Sequence, residues 1–386
     1  MKIGVLTSGG DVPGLNACIK AIVEGSENNG WETVGIKRGW KGLLEYNPDG
    51  SKAENASLSM PLKASEMRGL ENIGGTFLHT SRLNPVQLNE KDVPAFLINT
   101  ASPSPFGENK YDCTDHILKT LDHMNIDVLI PIGGDGSLRF AAHLTKQKFP
   151  VISIPKTMDN DVNGTDYCIG FSTCVTRCVD SINKLRTTAA SHERIAIIEL
   201  FGRHSGEPAL LAGHIAAADR VLIPEVPVDL EHFKELIISD QQKNHEKYAL
   251  AVVAEGVTLK DGKNIYQNKK AISGRKKLGG IGELIYQDLS ETNKVNAMTQ
   301  PLAYLLRSGE PDALDKLVAT SFGTMAIQRI EQKDFGKMTA IIDGNYALTD
   351  NDCVLSPQAN LILENMYDIQ NYRPVIKNVL GRPMYL

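Results

Sequence analysis

Reactive side chains concentrate in the run IPKTMDND, residues 154–161. Asp159 and Asp161 stand two apart with Asn160 between them, and Lys156 and Thr157 lie just upstream. Carboxylates this close to bound phosphate repel it unless one carries a metal or accepts a proton. Asp159 is placed to take the proton of a substrate hydroxyl. Asp161 can orient the loop or join the outer shell of a metal. Thr157 can donate to a phosphoryl oxygen, and Lys156 can neutralise charge on a transferring phosphoryl group, as positioned cations do in this chemistry.

Other loops carry matching chemistry. Residues 133–137 read GGDGS, glycines with one carboxylate, which suits a phosphate bound through magnesium. Asp135 is then a metal ligand, or else an ordinary helix N-cap. Residues 7–16, TSGGDVPGLN, join an apolar run to a helix-like one, and their glycines let backbone N–H groups approach an anion. The chain holds neither GxGxxG nor GxxxxGK[ST], so dinucleotide and P-loop folds are not supported. Arg194, Arg203 and Arg307 lie close to strand-like runs, and guanidinium forks match phosphate oxygens. Glu255, at the end of VVAE, can accept hydrogen bonds from a sugar.

The elements that position these loops alternate. Strand-like runs at 3–7, 127–134, 149–155, 194–200, 220–224 and 248–256 are separated by helix-like stretches, among them 15–29 and 173–190. This alternation predicts an α/β protein of two doubly wound lobes with mostly parallel sheets and the site in the cleft between them. Residues 84–112, rich in Asn, Pro, Ser and Gly, read as a surface excursion. The lysine-rich stretch 258–278 reads as a solvated flap or, alternatively, a rim that attracts phosphate.

Composition narrows the classes. The 386 residues carry a net charge of −5, which disfavours nucleic acid as a partner. No run approaches the ~18 apolar residues of a membrane span, and the first residues lack a signal-peptide core, so a cytoplasmic protein is expected. The six cysteines form no CxxC pair and lack zinc-ligand spacing; they read as small buried hydrophobes in a reducing compartment.

GGDGS, PKTMDND with the downstream IGFSTC, FGRHSGEPALLAG, VVAEG and YLLRSGEPDALD occur in an order and spacing that resembles the phosphofructokinase superfamily. TSGGDVPGLN and GGTFLHTSR (74–82) match as well, and the resemblance covers roughly 1–345. GGDGS alone is shared with other kinases, including the NAD kinase type; PKTMDND is the specific part. The resemblance implies phosphorylation of fructose 6-phosphate at its 1-hydroxyl, with Mg²⁺ as cofactor. Asp159 is then the base and Asp135 the magnesium-associated acid, with Lys156, Thr157 and Arg203 completing the catalytic group. Gly10, Arg82, Gly134, Asp135, Gly136 and Ser137 line the donor side. Thr157, Asp159, Asp161, Phe201, Gly202, Arg203, Glu255, Tyr304 and Arg307 hold the sugar phosphate. Arg194 matches an arginine that reaches the site from a neighbouring subunit, implying a homodimer or homotetramer. Trp40 stands where the family often has tyrosine.

The resemblance also divides the chain. Residues 1–170, with a return at about 307–345, form the donor lobe, 171–306 the sugar-phosphate lobe, and 346–386 a C-terminal extension. Tyr304 replaces a common histidine, as in pyrophosphate-using and mixed branches, and Met298 stands nearest to where a second arginine is expected. Two positions bear on the donor. Gly136 leaves room for the α-phosphate of a nucleotide, whereas Lys156 is typical of pyrophosphate users. Together they indicate a mixed-type enzyme using ATP, with pyrophosphate as the alternative donor and sedoheptulose 7-phosphate as a further acceptor. A catalytically silent sugar-phosphate sensor is the reading outside enzymology, and the intact Asp135, Asp159 and Asp161 speak against it.

Overall fold

The computed structural model describes residues 1–260, 266–270, 276–356 and 363–375. Most of the lysine-rich stretch at 258–278 and much of the C-terminal extension lie outside the described residues or their side chains.

Two sheets organise the chain. The larger has seven strands: β1 (Lys2–Ser8), β2 (Glu32–Ile36), β3 (Ser59–Leu62), β4 (Val128–Gly133), β5 (Ile152–Pro155), β10 (Lys337–Ile342) and β11 (Asn345–Asp350). The smaller has four: β6 (Ile195–Leu200), β7 (Arg220–Leu222), β8 (Ala249–Ala254) and β9 (Ala297–Pro301). Spatial order is β11-β10-β5-β4-β1-β2-β3 in the first and β7-β8-β6-β9 in the second. Every pairing is parallel except those of the edge strands β3 and β11. The α/β class read from the sequence is the class observed. The excursion at 84–112 carries a small three-stranded sheet of its own.

Parallel strands need both faces covered, and the sequences of β1, β4, β6 and β8 answer with near-continuous apolar runs whose residues are almost all buried. Each fully buried Leu, Ile or Val contributes roughly 1.5–3 kcal/mol against leaving it in water. Helices α1 (Leu15–Asn28) and α5 (Ala313–Glu331) pack together beside the larger sheet. Their approach depends on Gly323, where a Cβ would stand 2.7 Å from the Cys18 carbonyl oxygen.

The crossing between sheets sets the site. β5 ends at Pro155, the IPKTMDND loop follows, and α3 (Phe171–Ser191) then carries the chain to β6. The chain returns through the short 3₁₀ turn Ala303–Arg307 into α5. Glycine-rich turns at the carboxyl ends of β1 and β4, and the loops after β5, β6 and β8, therefore meet where the sheets adjoin. All six cysteines are free, and five are buried, as small hydrophobes would be.

Candidate active site

The site is built around Gly10, in the turn after β1. Gly9 has φ +93°, a conformation that favours glycine, and its N–H donates to the Ser81 carbonyl at 2.9 Å. This bond holds the 79–82 segment against the turn and brings Arg82 in. A Cβ on Gly10 would lie 2.1 Å from Arg307 Nη1 and 3.4 Å from Arg82 Nη2. Lys156 Nζ donates to the Gly10 carbonyl at 2.6 Å. Three cations from three distant parts of the chain thus converge on one glycine.

Their electrostatics are those of an anion cradle. Lys156 is almost fully buried, and burial, reinforced by the charges of Arg307 and Arg82, pushes its ammonium down to about 7. Arg82 is likewise shifted down by burial and then by Arg307 and Arg203. Like charges pressed together raise one another's energy, and a bound polyanion relieves it. Arg307 is fixed by donating to the Asp11 carbonyl at 3.2 Å and by lying over the Phe201 ring, 4.8 Å from its centroid. Phe201 also meets Tyr304 edge-on, with centroids 5.8 Å apart, and the Tyr304 ring is otherwise exposed.

Asp159 faces this cradle. Its Oδ1 is buried and has no hydrogen-bond partner. Burial, with help from Asp161, raises its carboxyl to about 6 against the opposing pull of Arg307, Arg203 and Lys156. Thr157 Oγ1 accepts from the Asp159 N–H at 3.2 Å, which shapes the loop. Glu255, just beyond β8, is pushed up to about 7, first by burial and then by Asp159. Gly202 has φ +135°, and a Cβ there would press to 2.7 Å on the Ser205 carbonyl oxygen. That tight turn is what presents the exposed Arg203.

The GGDGS turn opens helix α2 (Asp135–Lys146), with Gly134 at its N-cap. A Cβ on Gly133 would strike Ser137, one on Gly134 would sit 3.3 Å from the Lys156 carbonyl oxygen, and one on Gly136 would meet nothing within 4 Å. Open space at Gly136 and the free N–H groups of a helix start suit a phosphate chain. Both Asp135 carboxylate oxygens accept from Arg139 Nε, at 3.0 and 2.9 Å. Among the described residues no three His, Cys, Asp or Glu side chains form a metal-holding group.

A model of the family described as phosphofructokinase matches residues 2–330. The chain belongs to the phosphofructokinase family. A protein of Chloroflexus aurantiacus named ATP-dependent 6-phosphofructokinase is 36% identical over 340 residues, covering 88% of this chain and 87% of its own. A protein of Amycolatopsis methanolica named pyrophosphate–fructose 6-phosphate 1-phosphotransferase is also 36% identical, over 344 residues, covering 88% of this chain and 90% of its own. Equal identity to relatives named for different donors leaves the donor to local chemistry. The solved phosphofructokinase of Saccharomyces cerevisiae shares the fold, with a TM-score of 0.72 at 24% identity over 92% of this chain; the present chain spans 45% of the yeast one.

Of the residues singled out from the sequence, Gly10, Arg82, Lys156, Asp159, Asp161, Arg203, Glu255 and Arg307 come together around the Gly10 turn and the 154–161 loop through the contacts and fields above. Arg194 does not join them within one chain. It lies at the amino end of β6, opposite the Leu200–Arg203 end, and donates from Nε to Asn296 Oδ1 at 3.1 Å. Trp40 is fully buried, packed edge-on against Phe140 at 4.7 Å, and belongs to the core. Met298, on β9, pairs with Ala196.

Two contributors escaped the sequence reading. Asp11 anchors Arg307 through its carbonyl, and its charge supports protonated Lys156. Asn160, in the left-handed region at φ +51°, pins the 154–161 loop through three hydrogen bonds. An asparagine between two acids is the only local hint, because asparagine tolerates that conformation.

Proposed function

We propose that this chain transfers the terminal phosphoryl group of ATP to the 1-hydroxyl of fructose 6-phosphate, giving fructose 1,6-bisphosphate in glycolysis. The observation that carries this reading is Asp159: a carboxylate with one buried, unpartnered oxygen, its pKa near 6, under the fields of Arg203, Arg307 and Lys156. A base poised near neutrality beside a cation cradle suits proton transfer coupled to phosphoryl transfer. The substrate hydroxyl approaches Oδ1, and Asp159 takes its proton as the bond to phosphorus forms. Lys156, held at the Gly10 carbonyl, and Arg82 neutralise the donor oxygens. Arg203 and Arg307 hold the sugar phosphate, with Tyr304 and Glu255 at its rim; Thr157 donates to the transferring group.

Mg²⁺ fits this site as a donor-borne ion. Asp135, the single protein carboxylate at the GGDGS turn, would hold it on leaving its ion pair with Arg139, since magnesium characteristically takes one or two carboxylates plus substrate phosphates. When bound, it would neutralise charge on the donor oxygens. ATP is favoured over pyrophosphate by the open space at Gly136. Lys156 favours the second reading, pyrophosphate as donor, since a buried cation is suited to neutralising a short, highly charged donor. Arg194, remote from its own chain's site, would serve a neighbouring copy in a homodimer or homotetramer. Free, buried cysteines agree with work in the cytoplasm, and no helix among the described residues is long and apolar enough to cross a membrane.

The test is a coupled assay of purified protein with fructose 6-phosphate and Mg²⁺, run in parallel with ATP and with pyrophosphate. Faster turnover with ATP is expected. Faster turnover with pyrophosphate installs the second reading, and none with either donor removes both.

A further inference from the structure

Glu207 stands outside the machinery above, yet it touches the catalytic loop. It is the first residue of helix α4 (Glu207–Ile215), four positions after Arg203, and it is 7% exposed. Its Oε2 accepts from Asn160 Nδ2 at 3.1 Å, and its Oε1 is buried without a hydrogen-bond partner. Asn160 completes its set by donating from Nδ2 to the Asp166 carbonyl at 2.9 Å and accepting from the Cys168 N–H at 2.8 Å. Burial drives the Glu207 carboxyl up to about 8, with Glu225 and Asp166 adding to the shift. The preceding N–H, of Gly206, donates to Glu225 Oε1 at 2.7 Å, so the start of α4 is itself tied down.

A buried acid with half of its hydrogen-bonding capacity unused is costly. A purely structural helix start gains nothing from it, since a surface acid serves the dipole as well. What Glu207 does supply is a bridge. Asn160 lies between Asp159 and Asp161, in the left-handed conformation at φ +51°, and its three hydrogen bonds fix that turn. Glu207 opens the helix that directly follows the turn presenting Arg203.

We propose that Glu207 is a positioning residue for phosphoryl transfer: through Asn160 it fixes the 159–161 turn, and hence the aim of Asp159, relative to the start of α4 and Arg203. This rests on the assignment of Asp159 as the base. The bond needs an acceptor oxygen at Glu207, and it needs no negative charge there.

Steady-state kinetics of Glu207→Leu and Glu207→Gln test it. Leucine removes the acceptor, and kcat is expected to fall about 10- to 100-fold, the scale of a reacting group misplaced by an ångström or less, with KM for both substrates within about threefold. Glutamine keeps a carbonyl acceptor and is expected to restore kcat to within about threefold of wild type. Equal losses in the two variants, or a rise in KM at constant kcat, would overturn the proposal. Should Glu207→Leu fail to fold, Asn160→Asp supplies the same test. It keeps the acceptor for the Cys168 N–H but loses the donors to both Glu207 and the Asp166 carbonyl, so it is read only beside Glu207→Gln: kcat is expected to fall with KM unmoved, while Glu207→Gln stays within about threefold of wild type, and a loss in Glu207→Gln as large as in Asn160→Asp sinks the idea. Asp159→Asn, run alongside, separates the two layers. If it leaves kcat intact, the base assignment is at fault. If it abolishes turnover while Glu207→Leu does not, only the positioning role falls.

Discussion

Replacing Gly10 by alanine perturbs the cradle at its centre. Gly10 is absent from the positive-φ glycines, so alanine is not strained by backbone conformation. Its methyl group, however, would lie 2.1 Å from Arg307 Nη1 and 3.1 Å from Cζ. The group struck is the far end of a flexible side chain, so Arg307 moves and the fold does not. Moving it surrenders the hydrogen bond to Asp11 and the seat over Phe201. Loss of a charged hydrogen-bonding group from a bound phosphate is worth about 1.5–3 kcal/mol, which is roughly 10- to 150-fold in affinity. Initial-rate kinetics are therefore expected to show KM for fructose 6-phosphate raised by that factor, kcat lowered less, and a thermal midpoint within a few degrees of wild type. A variant with unaltered KM would show that Arg307 does not hold the sugar phosphate, and one that melts far earlier would show that Gly10 serves the fold.

Three further outcomes are expected. Gly136→Asp fills open space at the start of α2, so stability should hold or rise by a few tenths of a kcal/mol as an acid joins the helix N-terminus. A new charge within ~4 Å of a nucleotide phosphate costs up to ~4 kcal/mol at a surface-like dielectric, so kcat/KM with ATP should fall by about 10²-fold or more while pyrophosphate use falls less. For Lys156, the pKa near 7 lies below the unfolded value, so the unfolded chain holds a proton that the folded one has shed between pH 7 and about 10.5, and in that window this group makes stability rise with pH. A bound anion reverses the shift. At pH 8, calorimetry of ADP binding in buffers of different ionisation enthalpy should show an uptake approaching about one proton that Lys156→Met abolishes; equal uptake in both proteins would assign the proton elsewhere.

Much of this architecture was legible because buried parallel strands are written as apolar runs. β1, β4, β6 and β8 were visible for that reason. β9, AMTQP, was not: it is a half-buried edge strand whose side chains carry no apolar pattern. In the site, Lys156 and Asp159 stood out in the charged run after an apolar strand, and Arg307 as an arginine before a glycine turn. Their convergence on Gly10 was invisible, since it is made by contacts spanning up to about 300 residues of chain. Asn160 illustrates the limit most clearly. Its partner Glu207 is 47 residues away, and nothing local to either residue announces the bond.

The claim on which the rest depends is that Asp159 is the base. Asp159→Asn keeps the shape of the loop and removes proton acceptance, so single-turnover and steady-state rates with fructose 6-phosphate and the preferred donor read that function alone. A fall in kcat of about 10²–10⁴-fold with KM little changed is expected. Turnover within about threefold of wild type would contradict the assignment and, with it, the mechanism built on this site.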